Sequence, residues 1–129
     1  MNKILIEVSV GELLDKISIL EIKQEKIKDA ESLKFIEDEY KVLKSELDKN
    51  IKTDEKLKNL FNSLKEINSK LWVIEDDKRM CEKNKDFGEK FIKLSRDVHF
   101  LNDNRAKIKL EINNHTGSKI KEIKEYTSY

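Results

Sequence analysis

The chain has 129 residues, a formal net charge of +1, one cysteine and no proline. Near-neutrality removes the global field that attracts nucleic acid, and a lone thiol excludes both a disulfide framework and a cysteine metal cluster. Charged residues at 41% against 37% hydrophobic describe long, solvent-bathed helices in a single domain rather than sheet or disorder. No apolar run reaches the ~18 residues of a membrane span and no charged-then-apolar leader opens the chain, so a cytoplasmic protein is expected.

Taken in order, residues Lys3 to Val8 are apolar and β-branched over a short run, which predicts a strand. Ser9 with Glu12 forms a capping box and predicts a helix over 10–28. Its stripe of Val10, Leu13, Ile17, Leu20 and Ile27 is joined by Leu14, Ile19 and Ile22 on other faces, so this helix is expected at the centre of the fold. A helix over 32–49 carries Leu33, Ile36, Tyr40, Leu43 and Leu47 on one side and charges on the other, which makes it peripheral. Thr53 is read as the cap of a third helix over 54–84, and Asp86 with Glu89 as a capping box opening a fourth over 87–114. Gly117 is a helix stop, and residues 118–129 form a tail with Ile120, Ile123 and Tyr126 spaced by three.

The third and fourth helices are each near 30 residues and are joined by a very short turn. They are expected to form an antiparallel hairpin, the frame of an all-α bundle. A two-helix hairpin exposes its far face, so a homodimer is the expected way of covering it.

In the fourth helix Phe87, Phe91, Leu94, Val98, Leu101, Arg105, Ile108 and Ile112 follow strict 4-3 alternation, placing all eight on one stripe. The arginine cannot shed its proton, and burying it unpaired costs several kcal/mol. It therefore needs a carboxylate (Glu66 or one on the first helix), carbonyls, a bound anion or a wet opening. Only Arg79, Arg96 and Arg105 break an otherwise all-lysine set of 27 basic residues. The bidentate fork of arginine suits carboxylate or phosphate.

With the turn centred at residues 85–86, positions whose numbers sum to about 171 stand opposite one another in the hairpin. That sets Trp72 opposite His99, Glu75 opposite Arg96, and Asn68 near Asn102 and Arg105. A candidate ligand-binding set follows: Lys16, Asn68, Trp72, Glu75, Arg96, His99, Asn102, Arg105 and Lys109. Each has a plainer structural reading as well. Arg105 could be neutralised internally, Glu75 could pair with Arg79 or Arg96, Trp72 could anchor core, and His99 could be a hydrogen-bonded structural residue. Metal-ligand spacings, Gly-rich phosphate loops and nucleophile–base pairs are missing, so neither metal nor cofactor is expected and no reaction is assigned. Thr116-Gly117-Ser118 could present backbone amides but is read as a cap.

The block Glu7-Val8-Ser9-Val10-Gly11-Glu12-Leu13-Leu14-Asp15-Lys16-Ile17-Ser18-Ile19-Leu20-Glu21-Ile22-Lys23 resembles a family of short bacterial and phage proteins known only as a domain of unknown function. So do Leu71-Trp72-Val73-Ile74-Glu75-Asp76, Asn102 with Arg105, Lys109, and Thr116-Gly117-Ser118. The resemblance implies a small cytoplasmic helical protein, from genomes where such members accompany surface-polysaccharide and glycosyltransferase genes. It implies a pattern that includes Gly11, Glu12, Asp15, Lys16, Lys23, Trp72, Glu75, Asp76, Asn102, Arg105 and Lys109, with no assigned activity. A looser likeness to the all-helical chorismate mutases rests on Leu14 to Glu21 and Arg105, and lacks the arginine those enzymes carry early on their first helix.

Two functional expectations follow. The first is a non-catalytic interaction module, dimeric or bound to a protein partner. The second is a site or enzyme for a small anionic ligand, a carboxylate or sugar phosphate, built on the polar set.

Overall fold

The computed structural model describes residues 3–120 and 122–129, and it contains four helices. These are α1 (Val10–Lys26), α2 (Ala30–Asn50), α3 (Glu55–Lys83) and α4 (Glu89–Thr116). The all-helical class is as expected. The strand over residues 3–8 is not: Lys3 to Val8 pairs with nothing, and Ile4, Leu5 and Ile6 are 88%, 89% and 77% exposed. An isolated extended segment has no ladder to join when every neighbouring element is a helix, whatever its β-propensity.

The helix ends show which local chemistry wins. Ser9 caps α1, its hydroxyl taking the Glu12 amide at 3.0 Å. α2 begins two residues ahead of the expected 32, because Asp29 accepts both the amide and the hydroxyl of Ser32. Asp54 displaces Thr53 as the cap of α3, taking the Leu57 amide at 2.8 Å. A carboxylate does this better at the positive end of a helix. Asp86 closes no capping box with Glu89. Its carboxylate instead takes the Gly88 amide at 3.2 Å, stabilising a turn in which Lys85 adopts φ +54°, and α4 starts at Glu89 rather than at 87. At the far end Gly117 takes the left-handed conformation, φ +68°, that stops α4. Among the described residues the tail carries no helix.

α1 is central. It packs against each of the other three helices, while α2 is held to the body mainly through it. α4 runs back along α3, so that His115 near the end of α4 meets Asp54 at the start of α3 at 2.8 Å. Leu14 and Ile17 of α1, Leu47 of α2, Leu57 and Leu64 of α3 and Ile112 of α4 form the buried core. All of it lies in the half of the molecule that α1 reaches. α1 has 17 residues and α3 has 29, roughly 25 Å against 43 Å at 1.5 Å per residue. From Trp72 to Leu101, across the outer parts of α3 and α4, Cys81 is the only buried residue.

The approach of α1 to α4 is unusually close at Gly11. The Gly11 amide donates to Asn113 Oδ1 at 2.7 Å, and a Cβ on Gly11 would stand 2.6 Å from the Lys109 carbonyl oxygen and 3.0 Å from that same Oδ1. Backbone cannot yield as a flexible side chain does. Gly11→Ala is therefore expected to cost about 1–3 kcal/mol, the scale of overpacking. Urea denaturation checks this, and an unmoved midpoint would show that the two helices are not held in contact there.

Candidate functional site

The arginine that interrupts the apolar stripe of α4 is met by a single carboxylate. Asp15, on α1, is 2% exposed. Arg105 Nε donates to its Oδ1 at 2.9 Å and Arg105 Nη2 to its Oδ2 at 2.5 Å, a fork-on-fork pair. Asn68 of α3 donates its amide to the same Oδ1 at 2.9 Å and to Ser18 Oγ at 2.8 Å, and the Ser18 hydroxyl donates to the Asp15 carbonyl at 2.8 Å. Three helices thus contribute to one network, and no buried side-chain nitrogen or oxygen among the described residues lacks a partner.

Burial pushes the Asp15 carboxyl up. The hydrogen bonds from Arg105 and Asn68, with the charges of Arg105 and Lys109, overcome that and hold it below the ordinary aspartate value. Arg105 is pushed up in turn, chiefly by its bond to Asp15 against the opposing effect of burial. Both partners remain ionised through the neutral range.

Lys109, one turn further along α4, sits among acids. Its ammonium lies 2.7 Å from Glu12, 3.4 Å from Glu122 in the tail and 3.9 Å from Asp15. The Lys109 hydrogen bond is the main reason that the Glu12 carboxyl lies below its usual value. Lys16 is half in solvent and reaches Glu12 at 3.7 Å.

The α1 N-terminus is equally occupied. The Val10 amide goes to Ser118 Oγ at 3.3 Å, the Gly11 amide to Asn113 and the Glu12 amide to Ser9. Thr116-Gly117-Ser118 therefore serves as a cap and as a tie to α1; the Thr116 hydroxyl is turned back onto the Ile112 carbonyl.

The remaining candidates lie on different sides of the hairpin. Trp72 and Glu75, with Asp76 and Arg79, line a groove of about 410 Å³ where α1 leaves α3, walled by Ile19, Ile22 and Leu71 and touched by Asn68 and Arg105 at its inner end. His99 and Asn102 instead border a cavity of about 610 Å³ beneath the tail. There the His99 ring packs on Phe100 and Tyr129 at centroid distances of 5.3 and 5.9 Å, and the Tyr129 hydroxyl donates to Asp103. Arg96 is exposed. Neither Glu75–Arg79 nor Glu75–Arg96 closes as an ion pair. Residues at one height along a hairpin need not share one side, because each step turns the side chain by about 100°. Matching Trp72 with His99 by height alone set the two in one cluster that the azimuth divides.

The nine candidates therefore divide. Asn68 and Arg105 share the Asp15 network, Lys109 and Lys16 meet Glu12, and Trp72 and Glu75 face the groove. His99 and Asn102 lie under the tail, and Arg96 stands in solvent. Ser18 stands in none of the sequence patterns, and Asp15 and Glu12 stand only in the family pattern and, for Glu12, in the capping box, though a further signal is present. Gly11, Asp15 and Ser18 follow the 4-3 spacing of a helix stripe, so a small, polar stripe runs through a helix otherwise apolar on most sides. Among the described residues no group of three His, Cys, Asp or Glu side chains is placed to hold a metal. No helix among them is long and apolar enough to cross a membrane.

A family model described as a family of unknown function (DUF6165) matches residues 4–129, and the chain belongs to that family. No curated protein matches the chain. No solved structure matches it either.

Removing one member of the buried pair should be worse than removing both. Arg105→Ala strands the Asp15 carboxylate and is expected to cost about 3–5 kcal/mol, whereas Asp15→Leu/Arg105→Met should cost less than either single loss. Because the folded Asp15 value lies below the unfolded one, its contribution is full above the unfolded value and is lost as pH falls through the folded value. Urea unfolding from pH 7 to pH 2 should show a weaker acid loss in the double variant than in the wild type. Identical acid limbs would remove Asp15 from that role.

Proposed function

We propose that this member of the family of unknown function is a non-catalytic interaction module that works as a homodimer. The outer part of the α3–α4 hairpin is the contact surface. The observation that carries this reading is the contrast between the two halves of the hairpin. The inner half is covered by α1 and holds the core, whereas the outer half, from Trp72 to Leu101, buries only Cys81. Val73, Met80, Phe87, Ile92 and Phe100 are 43% to 54% exposed there. Apolar side chains at this density on a two-helix projection are poorly protected from water, and an isolated hairpin has too little interior to stand alone. A second copy laid alongside, its own projection reversed, supplies the missing helices of an antiparallel bundle with a self-complementary interface.

The reading as an anionic-ligand site or enzyme is less well supported. Arg105 is taken by Asp15, and Lys109 stands among Glu12, Glu122 and Asp15, so the two cations nearest the centre are already neutralised by the protein's own carboxylates.

Sedimentation over a micromolar concentration series is expected to show a reversible dimer. Met80→Glu/Ile92→Glu should raise the dimer Kd by about tenfold or more, with helix content by circular dichroism unchanged. A wild-type chain that stays monomeric throughout would overturn the reading.

A further inference from the structure

The groove of about 410 Å³ where α1 leaves the hairpin ends, on its inner side, at a buried polar atom that the Asp15 network leaves unanswered. Asn68 is 5% exposed, and its nitrogen has to face the Asp15 carboxylate, which can only accept. With that nitrogen spent on Asp15 and Ser18, the Asn68 side-chain oxygen takes no hydrogen bond among the described residues. No fully buried side-chain oxygen among them lacks a partner, so this one opens onto the space its residue lines, which is the groove. Arg105 shares Asp15 Oδ1 with Asn68 and lines the same inner end. Its Nε and Nη2 are spent on Asp15, whereas its Nη1 meets no acceptor among the described residues, and its side chain is 29% exposed. The inner end thus offers one acceptor and one donor, with the guanidinium charge already answered.

The mouth has a different bias. Trp72, Glu75, Asp76 and Arg79 follow the i, i+3, i+4, i+7 spacing of one α3 face, and all four line the groove. The last three close no ion pair among the described residues, so two carboxylates against one guanidinium leave one negative charge over. An ammonium complements that excess, and the indole face of Trp72 attracts a cation as well. Between the two ends Ile19, Ile22 and Leu71 supply an apolar wall. We infer that the groove binds a small amphipathic amine. Its ammonium sits at Glu75 and Asp76 against Trp72, its apolar body lies along the wall, and a neutral hydroxyl at the inner end donates to Asn68 Oδ1 and accepts from Arg105 Nη1. The inference does not rest on the homodimer reading, because one chain supplies every residue named.

Helix geometry sets the size of the ligand. From Asn68 to Glu75 and Asp76 the α3 axis rises roughly 10–12 Å. With a hydrogen bond of about 3 Å at each end, the hydroxyl and the ammonium stand roughly 6–12 Å apart, according to how far those bonds lean along the helix. A phenol carrying a two-carbon amine chain meets this span, and its flat ring packs well against an indole. An anion is disfavoured at both ends, by Glu75 and Asp76 at the mouth and by the Asp15 carboxylate behind Arg105.

Tyramine is the probe. Calorimetric titration of the full chain is expected to show saturable one-to-one binding, and the emission of Trp72, the only tryptophan, should change over the same concentrations. Phenethylamine, which lacks the hydroxyl, should bind about tenfold more weakly. Phloretate, in which a carboxylate replaces the ammonium, should give no binding heat. Glu75→Gln/Asp76→Asn should weaken tyramine binding about tenfold or more, with the urea midpoint unmoved because both side chains are exposed. The inner end is tested from the ligand side, since Asn68 and Arg105 also hold Asp15 in place.

A titration with neither heat nor emission change up to millimolar tyramine would overturn the inference. Phloretate binding as tightly as tyramine would overturn the charge preference, and phenethylamine binding as tightly would overturn the inner contact. Tyramine affinity untouched by Glu75→Gln/Asp76→Asn would place the amine elsewhere and overturn the site.

Discussion

A carboxylate on the most buried helix of a small protein has to be answered, and the arrangement of the other helices is the answer. Asp15 is almost fully withdrawn from water, so its two oxygens need donors that do not come from solvent. α4 supplies the fork of Arg105 and α3 the amide of Asn68, and both reach the same carboxylate. Leucines tolerate a slide of one turn, whereas a bidentate pair does not. The network therefore fixes the height and rotation of α1 between the two long helices, while Leu14, Ile17, Leu64 and Ile112 supply the apolar burial. It explains why an arginine stands in a stripe of apolar rungs: the inner part of the stripe is covered by α1, and the rung opposite Asp15 has to be a cation.

Once α1 is pinned, its length decides where the fold stops being a bundle. It ends after Lys26, beside the groove lined by Ile19 and Ile22, and the hairpin continues without it. The proposed contact surface is thus a consequence of unequal helix lengths. The charged groups placed there, Glu75, Asp76 and Arg79, stand clear of the internal network.

Much of this was legible in the residue order, and the remainder was not for identifiable reasons. Four helices, the central position of α1 and the stop at Gly117 follow from apolar period and capping chemistry, which are local. The need of Arg105 for a counter-charge was equally clear, because burial makes it obligatory. Which carboxylate answered depended on the azimuth of α1, a tertiary property, so Glu66 and α1 stayed open as alternatives. Caps moved by one or two residues where two polar side chains competed, as at Thr53 and Asp54. The strand at Lys3–Val8 failed because propensity describes what a segment prefers when a neighbour of the same kind exists. His99 failed as a neighbour of Trp72 because numerical matching along a hairpin gives height and leaves direction undetermined.

The ties at the base of α1 bear on how the chain reaches this state. Gly11 is bonded to Asn113 and Val10 to Ser118, sequence separations of 102 and 108 residues, so α1 is completed by the end of α4 and the residue just past its stop. On a ribosome α1 emerges with its polar stripe and first amides unanswered, and it waits in water while α2 and α3 are synthesised. Closure over so long a loop comes late and slows folding relative to a bundle of sequential neighbours. Until then Asp15 is an ordinary hydrated aspartate, and the bundle acquires its centre only once α4 has been made.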